Sequence, residues 1–165
     1  MRSIILIAHN LRSTHNVGSL LRTAEGLGVT KVYLTGYTPY PQLKTDKRLP
    51  HESAKTHAQI QKTALGAESL LTIEHIDDIT TLLQSLKSDG YHICALEQDP
   101  KALPLAKFSP GPKITLIVGR EVEGIEKELL SQVDSIIEIP MRGKKESFNV
   151  VQAAAMALYS IVYFT

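Results

Sequence analysis

Three short polar clusters carry the residue types from which a reaction site can be built. Asn16 and Arg22 stand six apart in "NVGSLLR", and Gly119, Glu121 and Gly124 form a G-x-E-x-x-G in "GREVEG". Ile139, Pro140, Met141, Gly143, Ser147 and Asn149 follow one another in "IPMRGKKESFN". An amide, a guanidinium, a carboxylate and a hydroxyl can together bind and orient a polar ligand. They lack the usual proton acceptor, because no well-placed histidine accompanies them and a guanidinium is not an ordinary base. Taken singly, each cluster has a structural explanation: Asn16 as a helix N-cap, Glu121 as a surface charge before a turn at Gly124, Asn149 as a first-turn polar residue. All three, however, come after strand-like runs, and ligands of open α/β sheets bind at the carboxyl ends of strands.

Several other chemistries are excluded. No G-x-G-x-x-G follows the first strand-like run, and "GREVEGIEK" lacks the Lys-Ser/Thr with which a P-loop reaches phosphates and magnesium. The six histidines are scattered without accompanying cysteines, so no metal site is expected, and His9, His51 and His57 read as surface or loop residues. The one cysteine, Cys94, lies in the apolar run "YHICAL" and reads as a buried, inert thiol in a reducing compartment.

Positioning the clusters requires alternating elements. "SIILIA" (3–8), "KVYLT" (31–35), "ICALE" (93–97), "ITLIVG" (114–119) and "SIIEIP" (135–140) read as strands, and the continuous apolar run of the first suits a parallel strand buried on both faces. Between the first two, Val17, Leu20, Leu21, Ala24 and Leu27 form one helical stripe, with Asn16 expected as the N-cap and Gly28 as the stop. A second helix runs from an Asp cap through "ITTLLQSLKS" to Gly90. The class is α/β, with a mostly parallel sheet flanked by helices. At 165 residues and 43% hydrophobic content, residues 1–165 are expected to form one domain. The opening "MRSIILIAHN" has about five consecutive apolar residues, too few for a signal peptide or a membrane span, which points to the cytoplasm.

Charge is unevenly distributed. Residues 1–62 hold nine Lys/Arg against three Asp/Glu, and residues 63–165 hold nine against fourteen, which hints at an anionic partner for the first part. The stretch 36–57 reads as a loop before a short helix ended by Gly66. Its Tyr37, Tyr40, Lys44, Lys47 and Arg48 interleave rings and cations, a pattern that suits single-stranded RNA and equally an ordinary mobile surface loop. From Val150 to Phe164 nearly every residue is apolar, so the last helix needs cover on all sides, which a second subunit would supply.

Taken together, the three clusters closely resemble the SpoU/TrmH family of RNA ribose 2′-O-methyltransferases, within the SPOUT superfamily. Asn16 and Arg22 match its first motif; Gly119, Glu121 and Gly124 its second; Ile139, Pro140, Met141, Gly143, Ser147, Asn149 and Val150 its third. Phe148 replaces the family's frequent Leu or Met, and Arg120 stands where a small residue is common, a change expected to affect the substrate side. General topology rules favour an open doubly wound sheet. The resemblance implies instead a C-terminal deep trefoil knot holding S-adenosylmethionine, a homodimer through the C-terminal helix, and an RNA substrate; with no obvious appended RNA-binding domain in the sequence, a compact target such as a tRNA loop is expected ahead of rRNA.

The resemblance also assigns residues. Leu96, Gly119, Ile139, Met141, Ser147 and Phe148 would contact the cofactor. Arg22 would hold a phosphate and stabilise the alkoxide of the attacking 2′-hydroxyl, on the exposed side of its helix and within reach of a partner subunit. Asn16 and Asn149 would position Arg22 and the ribose, while Glu121 orders the loop beneath the cofactor. Lys44, Lys47, Arg48, Arg142, Lys144 and Lys145 are the expected RNA contacts. A SPOUT enzyme acting on a base nitrogen and a catalytically silent RNA-binding protein are the alternatives; the first lacks a visible acidic base, and the intact motif residues weigh against the second.

Overall fold

The computed structural model describes residues 2–164. Seven strands, β1 (Ser3–His9), β2 (Lys31–Thr35), β3 (Ile73–Ile76), β4 (His92–Leu96), β5 (Leu103–Pro104), β6 (Lys113–Val118) and β7 (Ser135–Glu138), form one sheet in the order β3-β2-β1-β6-β4-β7-β5. Every pairing is parallel. β6 lies between β1 and β4, with Ile4 beside Ile114 and Leu116 beside Cys94.

Helices cover both faces: α1 (Thr14–Gly26), α2 (Pro50–Ala64), α3 (Ala67–Leu70), α4 (Ile79–Ser88), α5 (Lys127–Leu130) and α6 (Val150–Tyr163). The period of two along β1 splits the core. Ile4, Leu6 and Ala8 pack with Leu20 and Leu21 of α1, Ile60 of α2 and Leu158 of α6, whereas Ile5 and Ile7 pack with Leu82 and Leu83 of α4 and Leu129 of α5. α1 and α2 approach so closely that a Cβ on Gly18 would overlap Thr63 Oγ1 and the Ile60 carbonyl oxygen. Cys94 is fully buried, and burial pushes its thiol up to about 12, which leaves it unreactive.

Several expectations need correction. The N-cap of α1 is Ser13, whose hydroxyl accepts the Asn16 amide at 3.1 Å; Asn16 is inside the first turn, so its side chain is free for other work. The stretch 36–57 is not loop throughout, since α2 starts at Pro50, whose fixed φ and missing N–H suit a first helical position. The last strand-like run ends as a strand at Glu138, before Pro140. β3 and β5 were not expected; both lie at or near sheet edges and are short. His9 is buried rather than on the surface. α6 is covered on one side only: Ala154, Ala157, Leu158 and Ile161 enter the core, and Gln152, Met156, Tyr159 and Tyr163 form an exposed, largely apolar stripe. Among the described residues, no helix is long and apolar enough to cross a membrane.

Candidate active site

A cleft of about 240 Å³ opens at the carboxyl ends of β4, β6 and β7. Leu96, Gly119, Ile139, Ser147 and Phe148 line it, as does Glu121; Met141, predicted with them, is outside the lining. The strand ends bring these residues together because parallel strands all finish on the same edge of the sheet. Four carboxylates that the sequence reading did not single out, Glu97, Glu123, Glu138 and Glu146, also line the cleft. A Glu directly after a strand that ends in Leu96 was the available signal for the first of them.

Glu97 is a structural anchor. Its Oε2 accepts the Ile125 amide and its Oε1 the Gln98 amide, each at 2.9 Å. Gly124 has a φ of 70°, and a Cβ there would overlap the Glu97 carboxylate, so this turn needs glycine twice over. The Gln98 side chain donates to the Glu146 carbonyl at 2.8 Å, tying the segment before α6 to the end of β4.

Beside the cleft the three motifs meet. Asn16 Nδ2 donates to Glu121 Oε1 at 3.2 Å, and Asn149 Nδ2 donates to Asn16 Oδ1 at 3.5 Å. Glu121 also accepts the amides of Arg12 and Ser13, each at 3.4 Å. Asn149 caps α6, its Oδ1 accepting the Val151 amide at 2.8 Å. Burial alone would raise the Glu121 carboxyl, but hydrogen bonds from its own backbone, Asn16, Ser13 and Arg12 outweigh it and hold the group below the ordinary range. Glu121 is therefore an ionised anchor with its acceptor sites occupied, poorly suited to receive a proton near neutral pH.

A family model described as the SpoU rRNA Methylase family matches residues 3–159. The chain belongs to this family. A tRNA (guanosine(18)-2′-O)-methyltransferase of Borreliella burgdorferi is 24% identical over 159 residues, covering 96% of this chain and 66% of the relative. A 23S rRNA (guanosine-2′-O-)-methyltransferase RlmB of Xanthomonas axonopodis pv. citri is 27% identical over 161 residues, covering 98% and 59%. The crystal structure of an AdoMet-bound rRNA methyltransferase from Sinorhizobium meliloti superposes with a TM-score of 0.77 at 19% identity, over 97% of this chain and 55% of that one. The chain thus spans roughly three-fifths to two-thirds of the length of these two curated relatives.

In this SpoU chain the remaining predicted residues are not gathered at the cleft. Arg22 is exposed on α1, outside the cleft lining, and among the described residues its guanidinium has no hydrogen-bond or ion-pair partner, Glu25 included. Lys44 and Lys47 are exposed on the loop before α2, and Arg142, Lys144 and Lys145 on the segment before α6. Arg48 departs from the expectation of RNA contact. Its guanidinium binds Asp46 at 2.6 Å and the carbonyls of Tyr40 and Pro41 at 2.9 and 3.0 Å, and lies 3.5 Å from the centre of the Tyr40 ring. Tyr40 stacks in turn on His75. Arg48 thus staples the loop instead of offering its charge to solvent.

Proposed function

We propose that this chain is an S-adenosylmethionine-dependent RNA methyltransferase that modifies a ribose 2′-hydroxyl. The carrying observation is the junction of Glu121, Asn16 and Asn149 at the rim of the cleft, in a chain of the SpoU family. Both curated relatives compared above are named as 2′-O-methyltransferases. The tRNA enzyme is the one whose length this chain spans more fully, so tRNA is proposed ahead of rRNA.

The cleft suits the cofactor chemically. Leu96, Ile139 and Phe148 offer apolar surface for an adenine ring, strand-end backbone offers hydrogen bonds, and Glu97, Glu138 and Glu146 offer negative charge to a cationic ligand. Bound there, S-adenosylmethionine would supply the electrophilic methyl group. The chain's own residues hold and orient. Glu121 keeps the β6–α5 loop against the start of α1 and orients Asn16; Asn16 and Asn149 align the ribose. Arg22 holds a substrate phosphate and stabilises the developing alkoxide. The hydroxyl proton passes to a phosphate oxygen or to water.

Because Arg22 lies outside the lining of its own chain's cleft, we assign it to the site of a second copy. The exposed stripe of α6 supports a homodimer, with Tyr159 and Tyr163 paired at 4.8 Å and about half or more exposed, at 50% and 61%. Residues 139–149 leave β7, pass along the cleft and lead α6 back against α1, a course that suits the family's trefoil knot. A cytoplasmic location fits the buried thiol of Cys94. The deciding experiment incubates the protein with methyl-labelled cofactor and tRNA or rRNA and digests the product to nucleosides. Label in 2′-O-methylated nucleosides is expected, and label in base-methylated nucleosides alone overturns the assignment.

A further inference from the structure

Glu121 is not the only acidic side chain by which the β6–α5 loop grips the start of α1. Glu126, just before α5, does not cap its own helix; its Oε1 accepts from Arg120 Nη2 at 2.6 Å and from Asn10 Nδ2 at 3.1 Å. Asn10 Nδ2 also donates to His9 Nε2 at 3.0 Å, and Asn10 Oδ1 accepts the Tyr37 amide at 3.1 Å. A backbone N–H can only donate, so the Tyr37 contact fixes which way the Asn10 amide points. His9 Nε2 is therefore the acceptor, and the ring proton is on Nδ1, directed at Thr35 Oγ1 2.8 Å away. Asn10 itself has a φ of 56°, in the left-handed region that asparagine tolerates.

As a stabilising device this cluster is poor. The Arg120 and Glu126 side chains are only 23% and 34% exposed, yet Arg120 Nε and Glu126 Oε2 are shielded from solvent with no hydrogen-bond partner; His9 Nε2 approaches Glu126 Oε2 only to 3.5 Å. Incompletely satisfied, partly buried ion pairs seldom raise net stability, and their best attested use is to specify a geometry. Arg120, which also lines the cleft, directs its Nη2 at Glu126.

The geometry defined is specific. Arg120 stands between Gly119, a wall of the cleft, and Glu121, the anchor of Asn16. Asn10 stands three residues before Ser13, the cap of α1. Glu121 and the exposed Glu123, which accepts from Arg12 Nη2 at 3.2 Å, hold neighbouring points of the loop against residues 12–16, so the loop could still pivot there; the partly buried attachment of Glu126 to Asn10 lies apart from both and removes the pivot. We propose that Arg120, Glu126 and Asn10 are positioning residues that fix the cofactor loop relative to α1, so that the cleft and the residues of the first motif keep one alignment. The idea rests on the methyltransferase reading above, because alignment matters there for transfer. The attachment itself is independent of that reading.

The test uses Glu126→Gln, which keeps shape and removes charge, and Asn10→Gly, which suits the left-handed backbone and removes the amide. On an RNA that the unaltered protein methylates, each variant is expected to lower kcat by about tenfold or more, since small misplacements of reacting groups are costly in rate. KM for RNA and Kd for the cofactor stay within about twofold, and the double variant falls no further than the worse single one, as residues acting as one unit do. Amide hydrogen exchange at Arg12 and Ser13, read without RNA or cofactor, becomes faster in both variants. Unchanged kcat in folded variants, a loss confined to cofactor affinity, or unchanged exchange at Arg12 and Ser13 would each overturn the proposal. If the unaltered protein methylates no RNA, the functional reading fails, and the exchange measurement still decides the attachment.

Discussion

Asn16 and Glu121, 105 residues apart in the chain, meet at 3.2 Å, and two backbone amides of the loop before α1 converge on the same carboxylate. Removing the charge at that point should loosen both sides of the contact. Glu121→Gln and Asn16→Ala are each expected to reduce turnover by about 10–100-fold, and the pair should be clearly non-additive because the two side chains act together. A double-mutant cycle on kcat checks this; simple additivity would separate the two roles.

Arg22→Ala should lower turnover by about 10²–10³, the scale for deleting one transition-state donor, with cofactor affinity by calorimetry retained. If the guanidinium serves a second copy, mixing this variant with one blocked at the cleft wall, Gly119→Trp, should restore one working site per mixed dimer. Purified mixed dimers no more active than either parent would put the whole site in one chain.

The basic loop before α2 divides into two kinds of cation. Lys44→Ala with Lys47→Ala should flatten the salt dependence of RNA binding, by about 0.7–0.9 in log–log slope for each phosphate no longer neutralised. Arg48→Ala should instead lower stability, by about 1–3 kcal/mol, because it strips Asp46 and two carbonyls of their donor. Denaturant melts and salt titrations of the two variants distinguish these outcomes.

Burial lowers the pKa of His9 from its ordinary 6.5, with nearby Arg120 adding to the shift and Glu126 opposing it. A depressed folded-state value means the neutral ring is favoured by folding. Its contribution is complete above pH 6.5 and is lost as pH falls through the folded value. Glu121 and Glu126 are also depressed, from 4.5, so their contributions fade only at lower pH. Melting temperature should therefore begin to decline below about pH 6.5, and in His9→Gln the decline should start only in the carboxylate range. Identical profiles for the two proteins would remove His9 from the account.

Gly18→Ala, on the face of α1 that meets α2, should cost about 1–3 kcal/mol by overpacking, although alanine is the better helix former. Equilibrium unfolding measures it, and a stabilised variant would mean that the two helices separate freely.

Much of the sheet was legible in the residues. β1 has a continuous apolar run, and β2 and β6 are mostly apolar, because central parallel strands are buried on both faces. β3, at the sheet edge, carries Glu74 and His75 and has no such pattern. The start of α2 hid behind Pro50, His51, Glu52 and Ser53, which look like a loop until proline is read as a first-turn residue. Asn16 resembled a cap because Ser13, the residue that does cap, sits three positions earlier. At the site, spacing located the motifs but could not bring them together; the family resemblance did that. Neither source revealed the acceptors of Arg48 or the bond from Asn10 to Glu126, since both depend on partners chosen by tertiary packing.

The place of β6 in the sheet bears on how the chain is made. The strand that joins the two halves is sixth in sequence, so a nascent polypeptide ending before Lys113 has β1 and β4 without the neighbour that links them. Both would present unpaired edges until that late segment leaves the ribosome, and unpaired edges are templates for wrong pairing. Insertion between two existing strands also closes long chain loops, which slows folding. Synthesis of this protein therefore passes through an interval in which most of its residues are present and its sheet is not yet continuous.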